Sequence, residues 1–125
     1  MSEILTGLRT FTRGEITLDG ESIKKKTVRQ IRQMGISNIS EDRMTYGCAP
    51  TMSVTDNIIA DRYHSGRYSH GIRLDIKAIH RDVEELIKTF DVVCPSSSSM
   101  SGMLSGGNIQ KMIAAREFTS GARVI

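Results

Sequence analysis

The run Leu104-Ser105-Gly106-Gly107-Asn108, continued by Ile109-Gln110-Lys111 and then Ala114-Ala115-Arg116-Glu117, decides how this chain is read. It sets a hydroxyl and two glycines ahead of an apolar stripe, Ile109, Met112 and Ile113, that ends near Phe118. A helix N-terminus built this way faces an anion. Its first-turn N–H groups have no intrahelical partner, the macrodipole is positive there, and Gly106 and Gly107 carry no Cβ to hold a phosphate oxygen away. None of the eleven glycines is followed by lysine, so the Gly-Lys-Ser/Thr ending of a phosphate-cradling P-loop is absent. The run is therefore half of a phosphate site. On its residues alone, Ser105 has a second reading as a helix cap only.

Upstream, the pattern predicts an α/β start and a helical remainder. Glu15 to Asp19 alternates with Ile16 and Leu18 on one face, and Asp19-Gly20 is a tight-turn dipeptide, which predicts a strand entering a hairpin or a sharp corner. Val28, Ile31 and Met34 recur at helical spacing before Gly35, a residue suited to the left-handed position after a helix. Ile36 to Ile39 reads as the next strand, and Glu41-Asp42-Arg43 as the start of a loop that Gly47 and Pro50 extend. Asp42 and Arg43, adjacent and opposite in charge, read as a surface ion pair of little energetic weight. Ser53 and Asp56 have capping-box spacing, so a helix is predicted from Val54 into the early sixties, followed by a loop around His64 to Gly71. The clearest helix starts after Asp75: Ile76, Ile79, Val83, Leu86, Ile87 and Phe90 form one stripe, with Lys77, Arg81, Asp82, Glu84, Glu85 and Lys88 mostly on the other faces. Pro95 and the Ser96–Ser99 run end it and read as a flexible spacer.

Composition narrows the class of function. With 125 residues, 38% hydrophobic residues and no Trp, the chain has material for one modest core. Seventeen basic against fourteen acidic residues make a mixed surface of net charge +3. Apart from Lys24-Lys25-Lys26 the basic residues are scattered and no aromatic platform accompanies them, so a nucleic-acid partner is not expected. Cys48 and Cys94 lie apart with no metal-ligand spacing to His64, His70 or His80, which predicts two reduced thiols, surface histidines and no metal site. No stretch approaches the ~20 apolar residues of a membrane span, so no direct membrane insertion is expected.

Five segments, in the order the family has them, carry a resemblance to a known family. The Leu104–Asn108 run is similar to the signature motif of ABC transporter nucleotide-binding domains, and its continuation looks most like the branch that imports simple sugars and nucleosides. Gly7-Leu8-Arg9 with Gly14-Glu15-Ile16-Thr17-Leu18-Asp19-Gly20 resembles the passage after the first helix of such a domain. Gly35 to Arg43 resembles the strand leading into the Q-loop, with Ser40 where a proline is common. Met52-Ser53-Val54-Thr55-Asp56-Asn57-Ile58 resembles the helix start that follows, and Phe90-Asp91-Val92 the end of the helix before the signature.

The resemblance implies an α/β fold, a partial ABC-type ATPase domain with short strands first, then a helical subdomain and the signature helix. Residues 1–47 would form the partial β/core region leading into the Q-loop, and 48–125 the helical subdomain with the signature and the start of the Walker B strand. Because neither Walker A nor the Walker B aspartate is matched, the chain looks like an internal fragment, and it resembles the C-terminal of two fused nucleotide-binding domains. Ser105, Gly106, Gly107 and Asn108 would meet ATP phosphate in trans, on a second nucleotide-binding domain, with Mg²⁺ present only in the complete dimerised domain. Glu41 would occupy the catalytic Q-loop position, where many members carry Gln near the Mg²⁺ and the attacking water; a carboxylate adds negative charge beside a triphosphate. Transmembrane permease subunits would hold the assembly at the cytoplasmic face of the cell membrane. The alternative is a non-catalytic helical interaction module in which the Ser-Gly-Gly turn is only a cap.

One expected result follows for the chain by itself: it neither binds Mg-ATP tightly nor hydrolyses it. The lysine and backbone cradle for the β- and γ-phosphates are absent, leaving one exposed helix end. Titrating Mg-ATP into the labelled chain should give small, salt-sensitive shifts confined to Ser105–Asn108 and no phosphate release above buffer. Saturable micromolar binding would contradict it.

Overall fold

A computed structural model describes residues 2–40 and 42–125 and divides them into two compact units. The first comprises the residues up to Asn38 together with Ser120–Ile125, and the second runs from Ile39 to Thr119.

The first unit contains α1 (Ser2–Leu5), β1 (Thr17–Leu18), β2 (Glu21–Ser22) and α2 (Val28–Gln33). β1 and β2 form the antiparallel hairpin expected at Asp19-Gly20, in the register Thr17↔Ser22 and Leu18↔Glu21. Both turn residues take positive φ, 52° and 81°, the combination that matches the twist of a two-residue hairpin. Ile16 and Leu18 share the inward face and pack with Phe11 and Met34 against buried Ile23, Ile31 and Ile36. α2 starts with a reciprocal capping box that the apolar spacing did not reveal: Thr27 Oγ1 accepts from Gln30 N at 3.3 Å, and Gln30 Oε1 accepts from Thr27 N at 2.8 Å. Gly35, at φ +94°, ends the helix as expected.

The strand expected over Ile36–Ile39 is reduced to one parallel bridge, Ile36↔Val124. Ser37 N donates to Val124 O at 2.8 Å, and Arg123 N and Val124 N donate to Gly35 O at 2.8 and 3.0 Å. Pairing over one residue on one side does not sustain a ladder, because a buried parallel strand depends on evenly spaced bonds to neighbours along its length.

The second unit carries α3 (Val54–Ile59), β3 (Ser69–His70), β4 (Arg73–Leu74), α4 (Ile76–Thr89) and α5 (Gly106–Phe118), with one wide helical turn at Arg43–Gly47 and one tight turn at Ser101–Met103. Val54, Ile58 and Ile59 of α3, Ile79 and Val83 of α4, and Ile109, Met112 and Ile113 of α5 converge on one core, closed by Tyr68, Val92 and Leu104. Asp75 caps α4 through Ala78 N at 2.9 Å, as its position predicted. The stripe enters the core only from Ile79, since Ile76 is exposed.

Some expectations for this unit change. The stretch around His64 to Gly71 is not wholly a loop: β3 and β4 pair antiparallel, Ser69↔Leu74 and His70↔Arg73. Asp82, placed by the helix pattern among solvated charges, is buried. The segment before the hairpin covers it: Arg67 donates through Nε and through Nη2, the latter at 2.8 Å, and Tyr68 Oη donates at 3.0 Å. Hydrogen bonds from Arg67, against the opposing effect of burial and with help from Tyr68, hold the Asp82 carboxyl down at about 2. A carboxylate depressed in the folded state stabilises the fold above its unfolded pKa of about 3.9 and loses that contribution as pH falls toward about 2. Urea midpoints should therefore drop between about pH 4 and pH 2, and Asp82→Asn should be less stable at neutral pH and flatter across this window. A variant with the wild-type acid profile would show that another group carries the effect.

Candidate functional site

The Ser-Gly-Gly turn stands where its spacing predicted. The tight turn at Ser101–Met103 delivers Leu104 into the core, and Ser105 follows in extended conformation, φ −62° and ψ 153°, as the N-cap of α5. Ser105 Oγ accepts from Asn108 N at 3.4 Å and from Asn108 Nδ2 at 3.0 Å. Because the oxygen accepts these bonds, capping does not consume the hydroxyl proton. Ser105, Gly106 and Gly107 are exposed. A Cβ built at Gly107 meets nothing within 4 Å, and its φ is not positive, so neither packing nor backbone conformation inside this chain calls for glycine there.

Asn108 faces inward. Its Oδ1 accepts from Val93 N at 2.9 Å while its Nδ2 holds Ser105. One turn on, Lys111 Nζ donates to Asp91 O at 2.8 Å and Asp91 Oδ2 at 2.7 Å, and this hydrogen bond lowers the Asp91 carboxyl. The first two turns of α5 thus clasp the corner after α4, where Asp91 takes φ 52°.

A buried polar knot lies behind the turn. Asn57 Nδ2 donates to Ala49 O, Ser53 O and Ser101 Oγ at 3.0, 2.9 and 3.1 Å, and its Oδ1 accepts from Ala49 N at 2.8 Å. Ser101, fully buried, donates to Ala49 O at 2.9 Å. Gly102 is needed for close approach, since a Cβ there would come within 2.9 Å of Pro50 O. The serine run is no flexible spacer: Ser97 is buried, and its carbonyl accepts from Thr55 N at 2.9 Å and Thr55 Oγ1 at 3.0 Å. Small residues there permit close docking of backbone on the start of α3. In Met52–Ile58 the sequence singled out the motif but not the work of Asn57; an amide at the fourth position of a capped helix, preceded by a proline-containing loop, is the available signal.

Glu41 lies outside the described residues. Next to it, Asp42 Oδ1 accepts from Thr45 N at 3.0 Å, which keeps this carboxyl below its ordinary value and caps the wide turn at Arg43–Gly47. Asp42 therefore has a structural use that the charge-pair reading missed. The same turn is reached from the far end of α5, where Arg116 Nη2 donates to Gly47 O at 2.8 Å and Arg116 Nε to buried Glu117 at 2.7 Å.

Among the described residues, no group of three or more His, Cys, Asp or Glu could hold a metal ion. His64, His70 and His80 are exposed. Cys48 and Cys94 are free thiols, and burial, with a smaller effect of Glu84, pushes Cys94 up, away from thiolate reactivity. No helix among the described residues is long and apolar enough to cross a membrane.

The exposed Ser105–Gly107 turn is a fitting place for a phosphate: it is open, anion-facing by helix polarity, and without a Cβ at Gly107. Comparison with known proteins identifies the family. The chain is 36% identical over 121 residues to the glucose import ATP-binding protein of Haloferax volcanii, an alignment covering 95% of this chain and 22% of that protein. It is 36% identical over 115 residues to the guanosine import ATP-binding protein of Bacillus subtilis, covering 92% and 22%, and 32% identical over 125 residues to the xylose import ATP-binding protein of Moorella thermoacetica, covering 100% and 24%. The chain thus spans between a fifth and a quarter of the length of these relatives. The family profile described as ABC transporter matches residues 1–125, and this chain belongs to that family.

Proposed function

We propose that Ser105, Gly106 and Gly107 form the phosphate-facing half of a composite ATP site, completed by the P-loop and Mg²⁺ ligands of a second nucleotide-binding domain. ATP held there would supply the phosphoanhydride energy for import. In this reading Ser105 keeps its capping role and directs its O–H outward, the Gly107 N–H faces the phosphate, and Asn108 acts indirectly by fixing Ser105 and the Val93 corner. Glu41 stands at the Q-loop position. The partner that moves the solute is a transmembrane permease, which holds the assembly at the cytoplasmic face of the membrane. The relatives' names support a sugar or a nucleoside as the solute.

The observation that carries this reading is a glycine at an exposed first helical turn that the chain does not itself need. Its test separates folding from function. Gly107→Ala should leave the chain as stable or stabilise it by up to about 1 kcal/mol, since alanine is the better helix former. In an ATP-binding subunit carrying this segment, the same methyl should lower ATP turnover about tenfold or more by obstructing the phosphate. Unchanged turnover would remove the phosphate from this turn.

A further inference from the structure

The Arg116 guanidinium sits at the C-terminal end of α5, three turns from Ser105, and is largely buried. It works as a fork. Nε pairs with Glu117, whose side chain is fully buried, while Nη2 reaches out of the helix to the carbonyl of Gly47, the last residue of the wide turn at Arg43–Gly47. The carbonyl of Arg116 is itself held by Arg62, which also donates to Thr119 O at 2.9 Å and to Thr119 Oγ1 at 2.8 Å and so closes the end of α5. Arg62 in turn pairs with Asp61 at 2.8 Å. At the other side of the same loop, the Asn57–Ser101 knot fixes Ala49 and Pro50 to the residues just before Leu104.

The loop after the Q-loop position is therefore attached to the signature helix twice, ahead of its N-terminus through Ser101 and at its C-terminus through Arg116. We infer that Arg116 is a positioning residue: its fork locks the turn at residues 43–47 to the signature helix, so that displacement of one is displacement of the other. A guanidinium suits this role because its planar fork donates from Nε and Nη2 at fixed, separate points, whereas a lysine ammonium presents all its donors from one atom on a flexible stem. The functional part of this inference rests on the reading of Ser105–Gly107 and the Q-loop position proposed above; the linkage itself does not.

Hydrogen exchange on this chain tests the linkage. The Thr45 and Tyr46 amides, bonded to Asp42 Oδ1 and Asp42 O, report on the turn. Arg116→Lys should accelerate their exchange about tenfold, the loss of one charge-assisted bond, with Ile58 and Val83 unchanged. Unchanged exchange at 45 and 46, equal acceleration throughout, or acceleration confined to 115–119 would overturn it. If Arg116→Lys does not fold, Arg116→Met with Glu117→Gln removes both buried charges together and is judged by the same outcomes. Failure of that pair to fold would make Arg116 a folding residue only and would also overturn the inference. In an ATP-binding subunit carrying the segment, Arg116→Lys should lower kcat for ATP about tenfold at an unchanged KM, the pattern of lost alignment rather than lost binding. An unchanged kcat overturns the functional part. If Gly107→Ala leaves turnover intact, the composite-site reading fails whatever Arg116 does.

Discussion

Replacing Ser105 by arginine in an ATP-binding subunit that carries this segment is expected to lower ATP turnover and transport about a hundredfold or more, the effect of losing one preorganised donor to a developing charge. Nucleotide binding at the P-loop should persist, because in the proposed arrangement that loop belongs to the facing domain. Structure makes the experiment clean. Ser105 is exposed, so the larger side chain has solvent to occupy, and the fold loses a capping interaction worth about 1 kcal/mol. The second acceptor contact, from Asn108 Nδ2, is also lost, but Asn108 keeps Val93. Turnover, nucleotide affinity and thermal midpoint should be measured together. Near-normal turnover in a folded protein would leave Ser105 as a cap alone.

The second large effect is on stability. Asn57→Ala is expected to destabilise the unit at residues 39–119 by about 2–4 kcal/mol, since it leaves the half-buried Ala49 N–H without its acceptor and opens a void where the buried amide sat. That is a large fraction of the stability of a domain this size. Asn57→Asp should not rescue it. The carboxylate still accepts from Ala49 N, but it cannot donate to Ala49 O and Ser53 O and would set a buried charge against them. Thr55→Val, which removes only the side-chain bond to Ser97 O, should cost about 1 kcal/mol. Urea unfolding of the three variants gives the order, and an Asn57→Ala midpoint equal to wild type would show that the knot contributes nothing net.

Local signals accounted for much of this protein. The Asp19-Gly20 turn, the start of α3 at Ser53 and Asp56, the Asp75 cap of α4 and the Ser105 cap of α5 are each written within a few adjacent residues, because the bonds that make them span three or four positions. The apolar stripes of α4 and α5 could be read the same way, and the ordered motifs pointed to the family that the match over residues 1–125 establishes. Glu41, named from its motif, is the position on which the structure adds nothing, since it lies outside the described residues.

Tertiary structure alone decided the rest. Asp82 looks like a solvated helix charge until Arg67 and Tyr68, fifteen and fourteen positions upstream, cover and bond it. The serine run looks like a linker until Thr55, 42 positions away, donates to its backbone. Ile36–Ile39 has the composition of a strand, yet strand formation depends on partners, and among the described residues its bridge is to Val124. Gly47 and Arg116 lie 69 positions apart, and no periodicity pairs them. In every one of these cases the deciding hydrogen-bond partner comes from a distant stretch of chain, and which polar group meets which is settled by how the helices pack rather than by the local propensity of either residue.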